Sequence, residues 1–341
     1  VPRAACLPSW VHPGIGKTDQ VRAAAAAVAA DTGKPCPVVE LHLAQLSEVD
    51  VRGYLIPDGK AAVFTAPVFW PMVSAHEQGI LFLDEFMQAG VEVQKAVTPL
   101  LRDLAIGEYK LPEGWSIVLA GNGQDDLAGA GAVLSHIINS ISLFEVKPPH
   151  PDDWVDWAID NDVDPLLIAF AKSSPSEVFA APIPTTGDTP FCTPRTVKFL
   201  SDIAKHWPGG LGSMANDAIG TAVIAATVGS GATAILLSLV KLAHLLPDYD
   251  AVIAAPDTTP VPDKLSHAYA TVLMLCARAR LEDAAPLVKY MTRFNPNHAI
   301  VGLRTLFKRD MRYTVAPEVV RWISANSELL RTYAKYLKPV A

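Results

Sequence analysis

Positive charge is scarce in this chain. Its 341 residues hold 28 lysines and arginines against 35 aspartates and glutamates, a formal net charge of −7. That balance, with a pI near 5.7, argues against a nucleic-acid surface built on bulk charge and leaves open only a local basic groove. No long basic run exists, and residues 123–140 contain neither lysine nor arginine. Cysteine is sparse too: Cys6, Cys36, Cys192 and Cys276 show no short metal-ligand spacing. They read as reduced, mostly buried thiols of a cytoplasmic protein. The nine histidines, His12, His42, His76, His136, His150, His206, His244, His267 and His298, are scattered along the chain. They are expected to be surface or core residues and not a ligand cluster. No internal repeat is evident, and no signal peptide opens the chain. Residues 218–240 lack charge altogether, but Gly229-Ser230-Gly231 interrupts them. Two short buried helices joined by a turn are expected there, not a membrane span.

What is present is ample apolar material. Half of the residues are hydrophobic, enough for two domains with full cores. Residues 9–18 read Ser-Trp-Val-His-Pro-Gly-Ile-Gly-Lys-Thr, a phosphate-binding loop. Pro13, Gly14, Ile15, Gly16, Lys17, Thr18 and Asp19 are its candidate nucleotide-binding residues. Gly14 and Gly16 leave room for backbone N–H groups to close on a phosphate chain. Lys17 supplies a point charge for the β- and γ-phosphates, and Thr18 a hydroxyl for Mg²⁺. The alanine-rich run 19–30 behind the loop is helical in character, so the phosphates would meet a helix N-terminus. One loop glycine is missing, because Val11 occupies its place. The loop lies close to Val1, which suggests that a native N-terminal segment precedes this sequence.

Residues 79–86 read Gly-Ile-Leu-Phe-Leu-Asp-Glu-Phe. A continuous apolar run suits a strand buried on both faces of a parallel sheet. Carboxylates at its C-terminal end fall where open α/β sheets bind ligands. Asp84 is the candidate Mg²⁺ ligand, and Glu85 the candidate base for an attacking water. Asn122, at the tip of the strand predicted over 116–121, would orient that water. Further strands are expected over 6–11, 38–43 and 142–146, and a helix over 91–104. One hairpin is expected around Asp58-Gly59, and a second pairing 106–111 with 115–121 through Pro112-Glu113-Gly114. Strands alternate with helices, so the sheet should be mostly parallel with helices on both faces.

Beyond Lys147-Pro148-Pro149 the patterns turn helical. A helix from Pro194 to about His206 would carry Arg195 at its start. A Pro/Asp-rich loop is expected over 247–263, then helices over 265–281, 284–294, 298–309 and 318–337.

These motifs resemble the AAA+ ATPases and, within them, the MoxR-like group. The carrying residues are the 13–18 loop, Leu83-Asp84-Glu85, Asn122 after Ala120-Gly121, and Pro194-Arg195. Between them, Val49-Asp50-Val51-Arg52-Gly53, Ile106-Gly107-Glu108-Tyr109 and Asp152-Asp153-Trp154 also look MoxR-like. The resemblance implies an α/β P-loop NTPase core over 1–147 with two β-hairpin inserts. It also implies an all-α lid over 148–250 and a helical extension over 251–341, packed on the lid. It implies ATP and Mg²⁺ as cofactors, Asn122 as first sensor and Arg195 as second. The expected partners are further copies of the chain in a hexameric ring and a remodelled protein, such as one with a von Willebrand A-type domain. Membrane and nucleic acid are not expected partners.

The chain departs from that pattern at Asn139-Ser140-Ile141, where the family carries an arginine that reaches the neighbouring subunit's site. Loss of such a finger lowers the rate by about 10³–10⁵-fold, so slow hydrolysis, or a nucleotide-stabilised scaffold, is the alternative. Arg102 is a candidate substitute, with Arg195 and Arg52 behind it. Tyr109 and Lys110 would either face a ring axis or take part in ordinary hairpin packing.

Overall fold

The computed structural model describes residues 4–9, 14–122, 137, 140–144, 146–181, 184, 189–243 and 246–325. The chain divides into two units, Val1–Pro148 and Pro149–Ala341.

The first unit opens with strand β1 (Ala4–Ser9), helix α1 (Lys17–Thr32) and strand β2 (Val38–His42). Alanines at 23–27 and 29–30 favour the body of α1. It stops at Gly33, whose left-handed backbone (φ 67°) returns its N–H to the Ala29 carbonyl. Short helix α2 (Glu48–Arg52) leads into hairpin β3 (Leu55–Asp58) and β4 (Ala61–Phe64), followed by α3 (Trp70–Ser74). Next come β5 (Gln78–Asp84), α4 (Val91–Asp103), β6 (Ala105–Ile106), β7 (Tyr109–Lys110), β8 (Gly114–Asn122) and β9 (Ser142–Leu143). Five strands form one parallel sheet in the order β2-β5-β8-β1-β9. The interior of β5 is fully buried, as its unbroken apolar run requires. Its even positions Ile80 and Phe82 pack with Val21 and Ala25 of α1. Its odd positions Leu81 and Leu83 pack on the other side with Val51, Val73 and Val97 of α2, α3 and α4. Helices therefore cover both faces.

Both hairpins exist, but each closes elsewhere than expected. Asp58 pairs with Ala61, so the first turn is Gly59-Lys60, with Gly59 at φ 61°. A glycine in the first loop position is what a two-residue turn of this hand asks for. In the second, Ile106 pairs with Tyr109 around Gly107 (φ 56°) and Glu108. Residues 112–114 are no hairpin turn: they lead into β8, which joins the parallel sheet between β5 and β1. Pro112 offers no N–H to a ladder, while Gly107 supplies the positive φ that a tight turn needs.

The second unit is helical. It contains α5 (Pro151–Asp160), α6 (Pro165–Ser173), α7 (Pro175–Phe179), α8 (Pro194–His206), α9 (Gly210–Met214), α10 (Ala218–Val228) and α11 (Ser230–Ala243). Then follow α12 (Tyr249–Ala254), α13 (Leu265–Arg278), α14 (Ala284–Met291), α15 (Pro296–Arg309) and α16 (Pro317–Ala325). The charge-free stretch is indeed two helices, broken at Gly229 (φ 80°). Among the described residues no helix is long and apolar enough to cross a membrane. The supposed 247–263 loop contains α12, which starts at Asp248, whose side chain caps the Asp250 N–H. The expected helix over 318–337 is seen to Ala325, and its remainder lies outside the described residues. One buried cluster joins α5, α6, α8, α10 and α11, a second joins α12 to α16, and residues of α13 and α15 belong to both. An acidic stripe on α5 joins it to α6 and α15. Asp152, Asp156 and Asp160 meet Lys172 of α6 and Arg304 and Lys308 of α15.

The expected fold class is the observed one: a phosphate-loop α/β core with helices on both faces and two hairpin inserts, followed by helices.

Candidate functional site

The loop after β1 is described from Gly14 onward, so Pro13 and Val11 lie outside the described residues. Gly14 (φ 79°) and Gly16 (φ 86°) are both left-handed, a conformation that costs a residue with a Cβ about 1–2 kcal/mol. Ile15 between them is buried, 4% exposed. Gly16 is the N-cap of α1, and among the described residues no side chain caps that helix end. An uncapped first turn behind two left-handed glycines is a cradle for an anion. Among the described residues, a Cβ built on Gly16 would meet nothing closer than Asp19 Oδ2 at 3.7 Å. Lys17 and Thr18 are half-buried at the helix start, and Asp19 is exposed. Lys17 Nζ donates to the Gly121 carbonyl at 3.5 Å, which reaches the end of β8. The residues present fit a triphosphate.

Asp84 and Glu85 are half-buried at the C-terminal end of β5. Alternation from Ile80 and Phe82 puts Asp84 on the α1 side of the sheet. Its Oδ1 accepts the Glu85 N–H at 2.9 Å. Glu85 itself is left-handed (φ 56°, ψ 32°), a strain of about 1–3 kcal/mol for a non-glycine residue. The following turn holds it there, with the Gln88 and Ala89 N–H groups on its carbonyl at 3.0 and 3.1 Å. β8 comes up tightly against this turn. A Cβ on Gly121 would lie 2.4 Å from Met87 Cγ, so glycine is required just before Asn122. Asn122 ends β8 opposite Ser9 of β1; its side chain lies outside the described residues.

The sheet also brings in two residues that the sequence left unassigned. Glu40 and His42 share one face of β2, and His42 stands opposite Asp84 in the register. Glu40, His42 and Asp84 have ligand atoms within 4.8 Å of one another. Histidine near carboxylates was not expected, because residues 40–42 and 84 are joined by strand pairing and not by local spacing.

The remaining candidates lie on other elements of the two units. Arg195 is exposed in the first turn of α8, in the second unit, behind the Thr193 cap and Pro194. Ser140 lies just before β9, and Asn139 is outside the described residues. Arg102 is exposed, and its Nε and Nη2 donate to the Asp103 carboxylate at 2.8–3.1 Å. Arg52 pairs with Glu48 at 3.0 Å and lies over the Phe64 ring. Tyr109 packs edge-on against Trp70, and its hydroxyl donates to the Phe64 carbonyl at 3.2 Å. Ordinary hairpin packing therefore accounts for it. Burial pushes the Cys192 thiol up to about 12, so this cysteine is inert at neutral pH.

Strand order, glycine turn and acid-tipped central strand define a parallel α/β protein of the phosphate-loop class. No protein-family model and no curated protein matches the chain. Among solved structures it is similar to a variant of RuvB from Thermotoga maritima, at 15% identity over 74% of this chain and 68% of that one, with a TM-score of 0.37. The RuvB Holliday junction branch migration motor of the same organism gives 16% identity, 74% and 67% coverage, and a TM-score of 0.34. NtrX from Brucella abortus gives 16% identity over 50% of this chain and 42% of that chain, with a TM-score of 0.32. The class rests on the strand order and the loop.

Proposed function

We propose that the protein is a MoxR-like AAA+ ATPase, which binds Mg·ATP at the phosphate loop and uses hydrolysis to remodel or assemble a partner protein. One observation carries this reading. β8 runs between β1 and β5, so the glycine loop and the acid pair emerge at the same edge of the sheet, beside the same strand tip. In this mechanism the first N–H groups of α1 and the Lys17 ammonium bind the phosphates. Thr18 and Asp84 would hold Mg²⁺, which when bound neutralises charge on the triphosphate. Glu85 accepts a proton from the attacking water, and Asn122 orients that water. Arg195, from a lid over 148–250, would approach the γ-phosphate when the ring is assembled. Residues 251–341 would form the extension packed on that lid. A homo-hexameric ring in the cytoplasm, acting on a protein such as one with a von Willebrand A-type domain, completes the proposal.

Steady-state phosphate release by the assembled protein tests it. Glu85→Gln should bind Mg·ATP like the parent and turn over about 10²–10⁴-fold more slowly. Equal turnover in the two proteins would contradict the assignment. A second reading, a nucleotide-stabilised scaffold with little turnover, is favoured by Ser140 and by the lack of lysine and arginine over 123–140. Partner remodelling that persists in Glu85→Gln would select it.

A further inference from the structure

The Glu40–His42–Asp84 cluster has a composition that a magnesium–nucleotide site does not call for. Magnesium prefers an octahedral shell of oxygen and keeps several waters. Imidazole suits Zn²⁺ and its borderline neighbours. His42 Nε2 lies 3.6 Å from Glu40 Oε1. Two ligands at the corners of a tetrahedron with bonds of 2.0–2.1 Å stand about 3.3–3.4 Å apart, so this pair needs only a small closure around an ion. The third ligand atom, a carboxylate oxygen, comes from Asp84, directly across the strand pair from His42.

The donors stand on rigid supports. Glu40 and His42 lie two residues apart on one strand, so their side chains leave from the same side. The other Glu40 oxygen, Oε2, accepts from Arg22 Nη2 at 2.8 Å, a partner outside the ligand set that fixes the carboxylate's orientation. The Asp84 carboxylate is fixed in turn by the Glu85 N–H. Glu40 is one-fifth exposed and His42 about half exposed, so an ion has a path from solvent. Among the described residues this is the only grouping of three such side chains.

We propose that Glu40, His42 and Asp84 form a binding site for a borderline divalent metal ion, with Zn²⁺ as the representative. The site goes beyond the nucleotide reading and does not require it, although the two share Asp84. An ion held here engages a carboxylate that the nucleotide's magnesium also needs, so Zn²⁺ and Mg·ATP would weaken each other's binding.

The test uses the full chain, stripped of metal and free of nucleotide, titrated with Zn²⁺ by calorimetry, with bound zinc then counted after gel filtration. One equivalent is expected in the parent and in Cys36→Ser. In His42→Ala the affinity should fall at least about 100-fold. If the alanine variant does not fold, as judged by circular dichroism, His42→Gln replaces it. Co²⁺ loaded in place of zinc should give visible bands in the parent that His42→Ala lacks. Lys17→Ala should keep its zinc, which separates failure of this site from failure of the nucleotide reading. Zinc affinity unchanged in the histidine variant, or no bound zinc in the parent with Zn²⁺ well in excess of protein, would overturn the proposal.

Discussion

The two faces of the central sheet are built very differently. On the face toward α2, α3 and α4, buried Leu43, Phe69, Leu81, Leu83, Phe86, Leu100 and Trp115 belong to one large cluster. On the face toward α1, the buried cluster is Val21, Ala25, Ile80, Phe82 and Ala120. Within α1 only Val21 and Ala25, one turn apart, are buried. Among the described residues the thick face supplies most of the unit's buried apolar side chains, while the thin one brings an alanine-surfaced helix close to the strand ends. The candidate chemistry gathers on the thin side: the glycine turn, Lys17, Asp84, and the Glu40–His42 pair with Arg22. Bulk packing and the candidate chemistry thus fall on different faces, and substitutions on the two sides should have separable consequences.

The largest expected effect is on the thick face. Trp115 is 2% exposed and donates from Nε1 to the His76 carbonyl at 3.0 Å. Trp115→Ala should destabilise the first unit by about 3–5 kcal/mol, read as a lowered urea midpoint. Nucleotide affinity of the fraction still folded should be unchanged. A smaller loss comes from Val21→Ala on the thin face, about 1–2 kcal/mol. Here nucleotide affinity should fall as well, because α1 is loosened at its seat. If Trp115→Ala weakened binding more than Val21→Ala at equal folded fraction, the division between faces would be wrong. Gly33→Ala should cost about 1 kcal/mol, since Gly33 has φ +67° in open space at the far end of α1; binding should not respond. The smallest effect is expected at Arg102 on α4, whose guanidinium is already engaged by Asp103. Arg102→Ala should leave the rate of phosphate release unaltered, and a loss of rate would restore this residue as a finger.

Much of this was legible in the sequence because its signals are local. The apolar run of β5 ending in two acids, the Gly/Pro stop of α1, and the Thr193-Pro194 start of α8 each announce an element within a few residues. Gly229 likewise splits the charge-free stretch as its φ demands. The helices α2 and α3, at five residues each, are too short for a 3.6-residue period to show. The second hairpin was misplaced because Pro112 and Gly114 look like a turn, whereas the strand that follows them pairs in parallel with both β5 and β1. At the site, the candidate loop and acid pair are short contiguous stretches, so local sequence is enough to propose them. The His42–Asp84 pairing could not, because a sheet register joins them. Nor could the meeting of Asp156 with Arg304, which depends on how α15 returns to α5.

The most direct measurement of the central claim is equilibrium binding of Mg·ATP to the purified chain and to Lys17→Ala. Saturable binding by the parent, lost when the lysine at the start of α1 is removed, is the predicted result. No saturable binding in the parent, or identical isotherms for the two proteins, would contradict it.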